Sequence, residues 1–179
     1  AIGLRVWVLA EGNRTATLDD LSLRSPACTD GGSDTCNKVG IGSFESGLVG
    51  WTISGQVQTV ASTRHGSAAA QVRGLGAVTS LPFAATAGRR YTGSVDYRNT
   101  GGTDWVGFGV HFLDAGGGMI GQTAVPLAVS SDWSRALLDV TAPAGTVAMR
   151  AWVYAEGQQL VVADGLRIQE VGCGQTGVD

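Results

Sequence analysis

Trp105-Val106-Gly107-Phe108-Gly109-Val110-His111-Phe112-Leu113 alternates strictly. Val106, Phe108, Val110 and Phe112 fall on one side, and Gly107, Gly109 and His111 on the other. A period of two is the mark of a strand with one face against a core. Working outward, Tyr91 to Arg98 keeps the same beat, with Tyr91, Val95 and Tyr97 on the apolar side. Leu137 to Val140 and Val147 to Tyr154 continue it. Turn-forming runs separate them: Asn99-Thr100-Gly101-Gly102, Asp114-Ala115-Gly116-Gly117-Gly118 and Ala142-Pro143-Ala144-Gly145. The alanine-rich stretch Ser67 to Val72 is bracketed by Gly66 and Gly74, and nowhere does a 3.6-residue stripe run for the length of a helix. Many short, evenly spaced strands predict an all-β sandwich or jelly roll.

Composition narrows the function. Charged residues are 15% of the 179 and the net charge is −3, too little positive charge to follow a phosphate backbone. Nucleic acid is therefore not an expected partner. Hydrophobic residues, at 44%, can build a core, yet no apolar run approaches the roughly 18 residues of a membrane helix, so no membrane insertion is expected. No GxSxG, HExxH or phosphate-binding loop occurs, and His65 and His111 lack a Ser-His-Asp context. A non-catalytic protein is expected.

The chain also repeats itself. Residues 2–28 align without gaps on 147–173. Arg5, Trp7, Val8, Ala10, Glu11, Gly12, Asp19, Leu21 and Cys28 match Arg150, Trp152, Val153, Ala155, Glu156, Gly157, Asp164, Leu166 and Cys173. The expectation is a tandem array with a period of about 145 residues, in the manner of repeat proteins. Residues 1–26 would be the C-terminal hairpin of a preceding module, 27–39 a linker, 40–171 a complete jelly-roll module and 172–179 the start of the next linker. Cys28 and Cys36 flank a polar loop that can bring them within disulfide range, the alternative being two reduced thiols. A disulfide implies an oxidising, extracellular or cell-surface setting. Cys173 would then need a partner near position 181.

Blocks within 40–170 resemble the jelly-roll carbohydrate-binding modules of families 4 and 9 and related galactose-binding-like sandwiches. They are Gly42-Ser43-Phe44-Glu45-Ser46-Gly47-Leu48-Val49-Gly50-Trp51, His65-Gly66-Ser67-Ala68-Ala69-Ala70-Gln71-Val72, Ala87-Gly88-Arg89-Arg90-Tyr91-Thr92, Phe112-Leu113-Asp114-Ala115-Gly116, Trp133-Ser134-Arg135, Ala142-Pro143-Ala144-Gly145 and Val162-Ala163-Asp164-Gly165-Leu166-Arg167-Ile168. The resemblance departs at Ile41, where Asn is usual, and at Gly165, where a second Asp is usual. It places Glu45 and Asp164 on neighbouring first and last strands, at positions that often hold a structural calcium. Two close carboxylates repel unless a cation lies between them, and Ca²⁺ would draw further oxygens from the backbone. The other reading is that both acids accept hydrogen bonds from loop amides.

A sugar site needs aromatic faces for the apolar side of a pyranose and polar groups for its hydroxyls. Alternation turns Asp96, Arg98, Trp105, His111, Arg150, Trp152 and Tyr154 outward, and these are the expected carbohydrate-binding residues. The competing reading pairs Arg150 with Asp96 and covers Trp152 with another module. Trp51 and Trp133 are expected in core or corner packing. Two functions follow: a secreted module that binds polysaccharide, or a structural repeat. The second would join neighbouring copies into a filament or surface layer by strand addition through the N-terminal hairpin.

Overall fold

A computed structural model of the chain describes residues 36–173. The chain divides into two units, Ala1–Gly32 and Ser33–Asp179, and the described residues all belong to the second. The N-terminal hairpin expected over 1–26, Cys28 and the last residues of the tail lie outside the described residues.

Nine strands and no helix occur among the described residues. They are β1 (Trp51–Val60), β2 (Ala69–Ser80), β3 (Phe83–Ala84), β4 (Arg90–Asn99), β5 (Val106–Leu113), β6 (Met119–Pro126), β7 (Ser130–Thr141), β8 (Ala148–Ala155) and β9 (Leu160–Glu170). The hydrogen-bonded order is β6-β5-β8-β2-β9-β4-β7, with β1 on β2 and β3 on β8. This is the all-β jelly-roll sandwich the alternation predicts, and every pairing is antiparallel.

Strand β2 belongs to both layers. Its first half, Ala70 to Arg73, pairs with β9, and its second half, Gly76 to Thr79, pairs with β8. The strand changes direction at Gly74 and Leu75, both at positive φ. Strand β1 follows β2 along its whole length and must bend with it, which it does at Gly55. A Cβ there would stand 2.5 Å from the Leu75 carbonyl oxygen, and the φ of +66° suits glycine alone without strain.

The core fills the space between the layers. Val106, Phe108, Val110 and Phe112 on β5 lie beside Val153, Ala151 and Met149 on the paired strand β8 and line the core from one side. Tyr91, Val95 and Tyr97 on β4, with Leu166 and Ile168 on β9, close it from the other. Phe44 stacks on Trp51 with ring centroids 4.8 Å apart, so Trp51 packs the corner as expected. Trp133, also expected to be covered, is half-buried under the Arg98 guanidinium.

The cysteine pairing differs from expectation. Cys36 is bonded to Cys173, 137 residues away, with a Cα–Cα distance of 5.6 Å. The Cys28–Cys36 bridge rested on spacing alone. Pairing of Lys38 N–H with the Ile168 carbonyl, and of Ile168 N–H with the Asn37 side chain, lays the start of the module against β9. This brings Cys36 to the end of that strand. The bridge joins the two ends of the module and closes a long loop, worth about 5 kcal/mol in the chain-entropy model. We expect Cys36→Ala to lower the unfolding free energy by several kcal/mol in urea titration, and non-reducing peptide mapping to link the Cys36 and Cys173 peptides. A Cys28–Cys36 linkage in that map would overturn the assignment.

Candidate functional site: an aromatic groove on the β5–β8 face

The outer face of the β6-β5-β8-β2 layer is hollowed into a groove of about 480 Å³. Pair by pair, the register writes its floor. Tyr154 lies between Ala77 on β2 and Gly107 on β5, Trp152 between Thr79 and Gly109, and Arg150 beside His111. Small residues on both sides leave room for the indole to lie along the sheet. A Cβ on Gly109 would come within 2.6 Å of the Trp152 ring and 2.5 Å of the Thr123 carbonyl oxygen. Trp105 leans over this row, its ring centroid 6.0 Å from that of Trp152 and 6.1 Å from that of Tyr154. His111 stands at the other end, 5.5 Å from Trp152.

The groove mixes apolar faces with a few polar groups. Trp105 is 38% exposed, whereas Trp152 is 6% exposed. The Trp152 indole N–H and Arg150 Nε are buried with no hydrogen-bond partner among the described residues. Gln122 on β6 and Glu156 after β8 complete the lining. Burial, and then the charge of Arg150, push the His111 pKa down, while its hydrogen bond with the Gln122 side chain pulls the other way. His111 is therefore a neutral imidazole near pH 7, with one donor and one acceptor.

Of the seven residues expected to form one site, the structure brings five together: Trp105, His111, Arg150, Trp152 and Tyr154. Asp96 and Arg98 do point outward, but from β4, which belongs to the other layer. The alternation gives the face of a strand, not the sheet to which the strand belongs. Asp96 does not meet Arg150. It is 5% exposed and accepts two hydrogen bonds from Arg135, at 2.9 and 2.8 Å, and one at 3.1 Å from His65 Nε2. Gln122, Glu156, Ala77 and Thr79 were missed. Their strands or loops carry little apolar alternation, and only the register assigns them to the groove.

Glu45 and Asp164 do not occupy adjacent strands. Asp164 is on β9, whereas Glu45 sits in the turns before β1. Both reach one loop, residues 61–68. Glu45 accepts from the Ser67 hydroxyl at 2.7 Å and from the Ser67 and Ala68 N–H groups at 3.0 and 3.1 Å. The Ser67 hydroxyl first, then these N–H groups, hold its carboxyl below the usual range. Asp164 accepts from the N–H groups of Arg64 and His65, both at 2.8 Å, and from its neighbour Gly165 at 2.7 Å. Burial nonetheless pushes its carboxyl up. Carboxylate lone pairs turned to N–H donors fit the loop-amide reading of these acids. No group of three or more His, Cys, Asp or Glu able to hold a metal forms among the described residues.

Comparison with known proteins gives no matching family model and no matching curated sequence. Solved structures do match. The enzymatically active domain of tailspike protein 4 from bacteriophage CBA120 superposes with a TM-score of 0.63 at 16% identity, over 76% of this chain and 22% of that one. A family 16 carbohydrate-binding module superposes at 0.61 and 18% identity, over 74% of this chain and 99% of that one. The CBM22-1 xylan-binding domain from Paenibacillus barcinonensis Xyn10C gives 0.55 and 16%, over 72% and 91%. The fold is thus that of β-sandwich carbohydrate-binding modules. The nearness to families 4 and 9 read from the sequence blocks is a finer statement than this likeness carries.

Two outcomes follow for the groove. Gly109→Ala should destabilise the protein by about 1–3 kcal/mol and shift its tryptophan fluorescence, because the added methyl meets the Trp152 ring. The lowered His111 pKa sets a pH window. The contribution of neutral His111 is fully present above the unfolded value near 6.5 and is lost as pH falls through the lower folded value. Denaturation midpoints between pH 7 and 4.5 should therefore fall less steeply for His111→Gln than for the parent.

Proposed function

We propose that the module is a non-catalytic carbohydrate-binding module of an extracellular, multi-module protein, and that it holds a neutral polysaccharide in the β5–β8 groove. One observation carries this reading: Trp105, Trp152 and Tyr154 form an aromatic wall over a floor of small residues, flanked by His111, Gln122 and Glu156. The ring faces take the C–H face of a pyranose. The amide of Gln122, the imidazole of His111 and the carboxylate of Glu156 supply donors and acceptors for hydroxyls around it. A neutral His111 suits an uncharged ligand, since it adds no second cation beside Arg150. The fold likeness to carbohydrate-binding modules supports the ligand class, and the Cys36–Cys173 bridge supports an oxidising, extracellular location.

Affinity electrophoresis in gels containing unsubstituted xylan or galactan tests it. Trp105→Ala should weaken retardation roughly tenfold or more, the scale of a lost aromatic anchor, while leaving the melting curve in place. Equal retardation of parent and variant across neutral glycans removes the groove from this role. A calcium ion drawing Glu45 and Asp164 together is a separate proposal, in which the two carboxylates would give up N–H donors to the ion. A fall in Tm on chelation, reversed by added calcium, supports it; superimposable melting curves remove it.

A further inference from the structure

The opposite side of the sandwich carries a different chemistry. Its layer is built from the first part of β2 with β1, β9, β4 and β7. Arg98 on β4 and Arg167 on β9 lie between buried neighbours, and Arg73 on β2 and Arg135 on β7 lie beside buried Val72 and Ala136, so all four face outward. The strands under the groove contribute Arg150 alone. Most acids on these strands are already engaged, Asp132 near the start of β7 being exposed. Asp96 and Asp164 are sunk beneath loop 61–68, and Asp139 is paired with Arg90. Arg73 and Arg98 meet no carboxylate within ion-pair distance among the described residues.

Arg98 is held for contact. Its guanidinium lies over the Trp133 ring, 5.0 Å from the centroid, and one amino group donates to the Ser62 hydroxyl. Stacking on an indole fixes the plane of the fork and leaves its remaining N–H edges for an acceptor. The register then extends the row. Arg98 pairs with Val162, which is buried between the two ends of the row, Val162 with Gln71, and Gln71 with Gln58. The two glutamine side chains are joined by a 2.6 Å hydrogen bond. Arg73 stands two residues further along β2, opposite Gln56. Gln56, Gln58, Gln71 and Arg73 line a shallow concavity of about 260 Å³. Two strand spacings separate Arg98 from Gln71, about 10 Å.

Guanidinium forks that match carboxylates, interleaved with planar amides that match hydroxyls, fit a polymer bearing both groups on each sugar. We infer that this outer face binds an acidic polysaccharide, a polyuronate, with Arg73 and Arg98 taking its carboxylates and Gln58 and Gln71 its hydroxyls. The chain's net charge of −3 opposes loose attraction to any polyanion, so recognition depends on this local geometry.

The full chain is run in low salt through gels containing polygalacturonate and, in parallel, unsubstituted xylan. Arg73→Gln/Arg98→Gln should lose polygalacturonate retardation by about tenfold or more, as expected for removed charge-assisted hydrogen bonds, with xylan retardation unchanged. Arg98→Lys should fall between parent and double variant, and Trp105→Ala should show the reverse pattern. Coincident melting curves establish that the variants fold. The inference is overturned if polygalacturonate does not retard the parent, or if the double variant is retarded equally. It is also overturned if duplex DNA or anionic phosphatidylserine vesicles compete as well as polygalacturonate at equal charge. Failure of xylan binding alone would strike the groove reading and leave this one standing.

Discussion

One strand serving two sheets is the constraint on which the remaining structure depends. Strand β2 gives its first half to β9 and its second half to β8, and the change of layer is concentrated at Gly74 and Leu75. Because β1 pairs along both halves, it inherits the bend and meets it with Gly55. The bend fixes which strands lie back to back. It sends Trp152 and Tyr154 to one outer surface and Asp96 and Arg98 to the other, although all four sit at equivalent outward positions of their strands. Straightening β2 would not merely loosen the fold; it would merge two chemically distinct faces. The Cys36–Cys173 bridge acts at the other limit, tying the entry of the chain to the end of β9 so that both sheets are closed over the same core.

Local physics was legible in the sequence, and long-range pairing was not. The alternation of Val106, Phe108, Val110 and Phe112 against Gly107, Gly109 and His111 is a property of the pleat and needs no partner to be read. The inward set of β4, Tyr91, Val95 and Tyr97, followed in the same way. Sheet membership is different, since it depends on hydrogen bonds between residues far apart in the chain. Asp164 and Asp96, 68 positions apart, are direct partners on β9 and β4, while the groove pairs His111 with Gln122. Strands β1 and β6 escaped notice for a related reason. Both lie at edges, and β6 exposes or half-exposes every residue, so neither shows the apolar beat of a strand packed on a core.

The cysteines carry the same lesson. A seven-residue polar loop between Cys28 and Cys36 makes closure cheap in entropy, and proximity in sequence argued for it. Strand pairing overrides that preference by bringing the two ends of a 137-residue stretch together. The internal repeat already contained the correction. The offset that aligns Trp7 with Trp152 also aligns Cys28 with Cys173. In the sequence alignment Cys28 thus corresponds to Cys173, the cysteine to which Cys36 is bonded.

The repeat also bears on why the groove residues are what they are. Positions 150, 152, 154 and 156 follow one another along the outward side of β8 and its end, and their counterparts are 5, 7, 9 and 11. Arginine, tryptophan and glutamate recur at three of these four positions, with Leu9 replacing Tyr154. On the inward side, 149, 151, 153 and 155 correspond to 4, 6, 8 and 10, and only the valine and the last alanine recur. Trp152 is 6% exposed and Arg150 half-buried, so packing against Trp105, His111 and the small residues of β2 and β5 is itself a filter on the outward side of β8.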